Sequence, residues 1–384
     1  VRPNPERKTE GIGSGSSRNA GKPGLSSRAS VRRSGPPFRL ARNRAKLAVS
    51  LALLTFAPGP SSPAAGEASV LRLATVAPNG SLWHEALKQM AADWGRATGG
   101  RFRVVFYPGG IQGDEPTILR KIRVGQLQAA ALTATGLAEI DSSFHVFTVP
   151  MFFASDDEVR HVLDALRPLL EERLEAKGFV LLNWGHGGWA HVFSKRPVTD
   201  MKALKQMKLF TWAGEDRMVQ WYKKNGFDPV PLALTDLLTA LQTGMVEAFP
   251  STPLAAVAFQ WYKHAPYMLD LPLGALVGGT VVGRKAWEAI PEADRAKLRE
   301  AAARIERSIW SEALRQDQEA VAVMKGRGLV VTSVAGTERE AEWRAAAEDL
   351  AATMRGGMVP ADIYDLALRE RNAFRKRASA GAGL

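Results

Sequence analysis

The 384-residue chain contains no cysteine. That absence excludes disulfides, thiolate zinc sites, a cysteine nucleophile and lipid attachment through cysteine. Histidine is scarce, and the six present (84, 145, 161, 186, 191 and 264) show no metal-ligand spacing. His84-Glu85 opens like a zinc-protease helix, but Lys88 stands where a second histidine is required. His186-Gly187-Gly188 has the form of an esterase oxyanion loop, yet the chain lacks the G-x-S-x-G elbow that would accompany it. His186 and His191 have no acidic co-ligand nearby in sequence, and Asp156-Asp157-Glu158 reads as the acidic first turn of a helix. With no catalytic, metal or cofactor constellation, an enzyme is not expected. No apolar run approaches the roughly 20 residues of a membrane-spanning helix.

The positive charge is unevenly placed. Of a net +12, residues 1–68 hold twelve Lys/Arg and three acids, leaving 39 bases and 36 acids in the rest of the chain. A body so close to neutrality gives no electrostatic reason to expect nucleic-acid binding. Residues 1–38, rich in Gly, Ser, Arg and Pro, read as a disordered or untranslated extension. The Gly11, Gly13, Gly15 run has no strand before it and is not a phosphate loop. Arg39, Arg42, Arg44 and Lys46 then precede the apolar run Leu47–Ala57, which Pro58, Gly59 and Pro60 break. Basic flank, short apolar run and small residues are the form of an export signal, with cleavage expected near Ala65 or Ala68.

From Val70 onward the patterning is that of an α/β protein, with 46% hydrophobic residues across the chain. Val70–Val76 alternates as a strand, Pro78-Asn79-Gly80 turns, and Ser81 caps a helix over Leu82–Ala97 with Leu82, Leu87, Met90 and Trp94 as core candidates. Strands at Arg101–Tyr107 and Gln128–Leu132 flank a helix over about Glu115–Val124, so the order β-α-β-α-β favours a parallel sheet covered by helices. Further on, helices are expected at Asp156–Lys177 and Asp236–Thr243, strands at Phe179–Trp184, Lys208–Thr211 and Thr280–Val282, and one very long helix over Glu292–Lys325 after Pro291.

Several motifs, in order, carry a resemblance. They are Tyr107-Pro108-Gly109-Gly110-Ile111-Gln112-Gly113, Ile122-Arg123-Val124-Gly125-Gln126-Leu127, Val149-Pro150-Met151-Phe152-Phe153, the stretch from Lys177-Gly178 to Gly188, and Pro229–Val246 with its Leu-Thr-Ala-Leu-Gln-Thr-Gly core. Over roughly Val70–Phe374 the chain resembles the substrate-binding proteins of tripartite ATP-independent periplasmic (TRAP) transporters, the DctP-type family. The resemblance implies a two-lobed periplasmic binding protein fold with a hinge and a long helix spanning both lobes. Residues 69–190 would form lobe I, with about 277–318 returning to it. Residues 191–276 would form lobe II, with about 319–384 returning to it. It also implies a periplasmic receptor that takes a small molecule between its lobes and hands it to TRAP membrane subunits, touching the membrane only through the transporter.

The departures concern the ligand. The resemblance would place an arginine for a ligand carboxylate in a strand where Phe210 stands, and a second where Ala190 stands. An asparagine of the family pattern is missing, with Thr252 as its nearest counterpart. A carboxylate buried without its guanidinium is costly, so the ligand is expected not to be a simple carboxylate and to be apolar or aromatic. Trp184, His186, Trp189, Ala190, Phe210, Trp212 and Thr252 are the candidate ligand-binding residues. The aromatic ones would otherwise serve as core or hinge packing, since pockets and cores share a composition. Lack of the arginine also resembles a branch of the family that works with an added tetratricopeptide protein. The alternatives are an interaction or signalling protein with a vestigial cleft and, last, a hydrolase.

Overall fold

The computed structural model describes residues 69–381. The extension and export signal read from residues 1–68 lie outside them. Strand β1 (Ser69–Thr75) runs into the Pro78-Asn79-Gly80 turn, where Gly80 adopts φ 79°. The Ser81 hydroxyl accepts the His84 amide and starts helix α1 (Leu82–Ala97), satisfying one of the free donors of a helix end. Leu87, Met90 and Trp94 form the buried stripe of α1, while Leu82, expected with them, faces the cleft described below. Next come β2 (Phe102–Tyr107), α2 (Glu115–Arg123), β3 (Ala129–Thr133), α3 (Ala134–Ala138) and α4 (Asp156–Ala176). β1 pairs in parallel with both β2 and β3, as the alternating order implies.

Strand β4 (Phe179–Ser194) is one continuous strand where the sequence suggested only its first part, Phe179–Trp184. Gly185, Gly187 and Gly188 blank the hydrophobic pattern, and Gly188 at φ 92° sits at a register shift between His186 and Trp189. The chain continues through α5 (Met201–Lys205), β5 (Lys208–Trp212), α6 (Asp216–Lys224), β6 (Asp228–Leu232), α7 (Leu237–Thr243), β7 (Ala248–Ser251) and α8 (Pro253–Ala258). β8 (Tyr267–Gly283) is 17 residues long, though only its last part was expected. It is followed by α9 (Arg284–Glu288), α10 (Glu292–Lys325), β9 (Val330–Ser333), α11 (Glu338–Met354) and α12 (Ala361–Gly381).

The strands join in the order β2-β1-β3-β8-β4-β7-β5-β6, with β9 beside β8. β4 and β8 run antiparallel along nearly their whole length. One end of the pair carries β3 at Gly278–Val282; the other carries β7 at His191–Ser194 and β9 at Tyr267–Asp270. Two lobes therefore share two long strands. Leu71, Leu73, Met90, Trp94, Leu298 and Ile305 pack one face of the first lobe, and Phe193, Phe210, Leu241, Phe249, Trp261 and Met324 pack the second. The 34-residue α10 spans about 50 Å at 1.5 Å per residue and contacts α1, β4 and α8 in turn. α12, expected with the second lobe, instead packs along α4: Arg375 pairs with Glu158 at 2.6 Å, and the Arg371 guanidinium lies over the Phe152 ring.

Candidate ligand-binding cleft

Carboxyl ends of parallel strands, together with the helix starts that follow them, form the crevices where open α/β folds bind ligands. Here the ends of β1 and β3 and the starts of α1 and α2 face the end of β5, the start of α6 and the start of α8. The β4 and β8 crossover forms the floor through Gly187, Ala190 and Leu273–Val277. A cavity of about 290 Å³ lies between them, close to the lower bound for small-molecule sites.

Trp83 forms much of the first lobe's wall. Its indole N–H donates to the His186 carbonyl at 3.1 Å. It packs against two glycines: a Cβ on Gly185 would stand 2.7 Å from its ring, and one on Gly278 would stand 2.4 Å away. Glu115, in the first turn of α2, is buried beside it in the wall. Its carboxylate accepts the Thr133 amide at 2.6 Å and the Thr133 hydroxyl at 2.7 Å, in a space that exists because residue 136 is glycine. Burial pushes its pKa up to about 7 despite these bonds.

Across the cleft, Glu215 occupies the N-cap position of α6 but does not cap it with its side chain. Among the described residues the half-buried carboxylate has no hydrogen-bond partner, and desolvation, followed by the charge of Glu139, pushes it up to about 7. Tyr222, two turns along α6, has its phenol pushed up to about 12 by burial. Thr211, 3% exposed, is a residue of the same wall, and its buried hydroxyl has no hydrogen-bond partner among the described residues.

Ala190, Phe210, Trp212 and Thr252 stand on the cavity wall. Phe210 is also part of the second lobe's core and meets Trp212 edge-on at 4.9 Å. The Thr252 hydroxyl accepts the Ala255 amide and so caps α8. Trp184, His186 and Trp189 are not on the wall. Successive residues of a strand face opposite ways, and Gly187 and Ala190 hold the cavity side. Trp184 packs against Phe144 and Phe147 at 5.6 and 5.7 Å. His186 stacks on Trp310 of α10 at 4.8 Å, with its pKa lowered by burial, and the Trp189 indole donates to Asp156 at 2.6 Å. Sequence reasoning missed Trp83, Glu115, Glu215 and Trp261 as cavity residues; the turn-then-helix signals at Pro78–Ser81 and Pro108–Glu115 could have placed the first two. Among the described residues, no Lys, Arg or His lines the cavity. Arg196 is turned to the Gln206 carbonyl and Glu247.

Residues 73–355 match the model of the bacterial extracellular solute-binding proteins, family 7 (DctP). The chain belongs to this family. It is a receptor that binds a solute outside the cytoplasmic membrane and works with TRAP membrane subunits; it is not an enzyme. A solute-binding protein of Chromohalobacter salexigens is 24% identical over 249 residues, covering 64% of this chain and 73% of that one. The C4-dicarboxylate-binding periplasmic protein DctP of Rhodobacter capsulatus is 26% identical over 256 residues, covering 64% of this chain and 74% of that one. In fold, the chain superposes on DctP7 of Bordetella pertussis, a receptor binding pyroglutamic acid, with a TM-score of 0.73 at 20% identity, covering 79% of this chain and all of that one. DctPAm of Advenella mimigardefordensis, in complex with galactonate, gives a TM-score of 0.74 at 18% identity, covering 80% and 98%.

Proposed function

We propose that this receptor delivers a solute without a simple carboxylate, apolar or aromatic in body, to its TRAP transporter. The observation that carries this reading is a wall with no cationic side chain among the described residues, formed instead by rings and aliphatic groups around Glu115 and Glu215. Relatives are named for C4-dicarboxylate and sialic acid, both anions. An anion in this cleft would face two acids with no guanidinium to offset its desolvation. The lobes meet at β4 and β8, and division there supports closure about Gly187–Ala190 and Leu273–Val277. Export would remove the segment before Ser69, so that the periplasmic protein begins between about Ala65 and Val70. An added tetratricopeptide partner belongs to the same reading and would co-purify with the receptor from its host.

Calorimetry on ligand-stripped protein tests the ligand class. Succinate, sialic acid, pyroglutamate and galactonate should give no saturable heat, whereas neutral aromatic solutes should. Phe210→Ala is a poor probe by itself, because removing a core ring costs about 3–5 kcal/mol of stability. Trp212→Leu, at a half-buried wall position, should weaken the bound solute while leaving the fold intact. Tight binding of a simple dicarboxylate that Trp212→Leu leaves untouched would overturn the reading.

A further inference from the structure

Among the described residues, the cleft carries charge of one sign only. Glu115 comes from the first lobe and is occupied by Thr133; Glu215 comes from the second and is free of partners among the described residues. Glu139, at the end of α3, brings a third carboxylate across the mouth: its Oε1 lies 3.7 Å from where a Cβ on Gly214 would stand, beside Glu215. Acids on facing lobes repel each other when the cleft closes on a neutral solute, and a cation between them offsets that repulsion. A second, independent feature is Thr211 on the same wall, 3% exposed, whose buried hydroxyl has no hydrogen-bond partner among the described residues. A buried hydroxyl left unpaired is costly, and a polar group of a ligand would satisfy it. Around these polar points stand Trp83, Trp212, Tyr222 and Trp261, and aromatic rings attract an ammonium group as well as an apolar body.

We propose that the solute is a compact apolar or aromatic amine, whose protonated nitrogen is held by the Glu215 carboxylate while its hydrocarbon part lies among the cleft aromatics. This rests on the proposed function above and narrows it to one charge type. No bond is made or broken; an ammonium donates hydrogen bonds to a carboxylate and the pair is neutral once enclosed. Thr211 offers an oxygen to a further N–H. Burial and the charge of Glu139 raise the Glu215 pKa, and a cation beside it would draw it back down.

Matched ligands test this. Phenylethyl, indolylethyl and cyclohexylethyl skeletons, each as amine, alcohol and carboxylate, are titrated by calorimetry against wild type, Glu215→Gln and Glu139→Gln. For at least one skeleton the amine should bind ten-fold or more tighter than its alcohol. Glu215→Gln should cost the amine ten-fold or more and the alcohol less than two-fold; Glu139→Gln, on the exposed rim, should cost the amine a few-fold. Because the Glu215 side chain makes no hydrogen bond to the described residues, Glu215→Gln should keep or raise the melting temperature. If that variant binds nothing at all, the wild-type ratio of amine to alcohol decides alone. Equal binding of amine and alcohol, or no amine binding, overturns this inference and leaves the carboxylate-free receptor standing. A carboxylate binding tightest of its trio overturns both.

Discussion

At the scale of single residues, the cleft acids make the protein's stability depend on pH in an unusual direction. Burial raises the folded pKa of Glu115 to about 7, from the ordinary carboxyl value of 4.5. A carboxyl raised on folding holds a proton that the unfolded chain releases, so its contribution is fully present below about pH 4.5 and is lost as pH rises through 7. For a group this buried the loss is on the order of 2–3 kcal/mol, and Glu215, half-buried, adds in the same direction to a smaller extent. Melting temperatures should therefore fall between pH 5 and 7.5. Glu115→Gln should flatten that slope, because an amide can still accept the Thr133 amide and donate to its hydroxyl. A wild-type curve that rises over this window would contradict the assignment. Neither acid was visible as a site residue in the sequence. Both sit at helix starts, where an acidic residue is ordinarily read as dipole complement, and only the lobe opposite converts that position into a cavity wall.

At the scale of elements, one contact joins the crossover to the long helix. Asp317 of α10 accepts the Trp189 amide at 3.1 Å through one carboxylate oxygen and the Leu254 amide at 2.9 Å through the other. It thus ties β4 at its register shift to the first turn of α8. Gly188 makes room for it: a Cβ there would stand 2.5 Å from the carboxyl carbon, at a φ of 92°. Asp317→Ala would leave two amides without acceptors, at about 1–3 kcal/mol each. Asp317→Asn should be only partly tolerated, because its NH₂ would confront one of the two donors. Chemical denaturation of both variants checks the order, with Asn less damaging than Ala; equal, near-zero effects would show that this pin does not hold the hinge strand. The span of α10 itself was legible from its composition and Pro291. The continuity of β4 and β8 was not, because glycine-rich strand centres have no apolar alternation to read.

At the scale of the molecule, the lobes share two strands, one long helix and a cleft whose walls already approach each other. The Gly110 position of the first lobe lies so close to Thr235 of the second that a Cβ would meet its methyl at 2.5 Å. With acids facing one another across the mouth, the empty protein should relax outward and the loaded one should compact about the β4 and β8 crossover. Small-angle scattering on stripped and saturated protein should show a smaller radius of gyration in the saturated sample. An unchanged radius with binding verified by calorimetry would place the motion elsewhere or remove it. α12, packed along α4 through the Arg375–Glu158 pair, would travel with the first lobe.

What the sequence determined by itself was the class of molecule. Alternating strand and helix periods, the turn motifs from Tyr107 to Gly113 and from Pro229 to Val246, and the missing arginines at Phe210 and Ala190 are local signals, each written within a few residues. The tertiary structure decided which aromatic residues meet a ligand. Trp184, His186 and Trp189 belong to the same sequence stretch as Ala190, but strand alternation and a glycine register shift turn them toward α4 and α10. Trp83, Glu115 and Glu215 became neighbours of one cavity only because two lobes, far apart in sequence, close on it. Side-chain direction in a bulged strand and proximity across a cleft depend on long-range pairing, which no window of sequence contains.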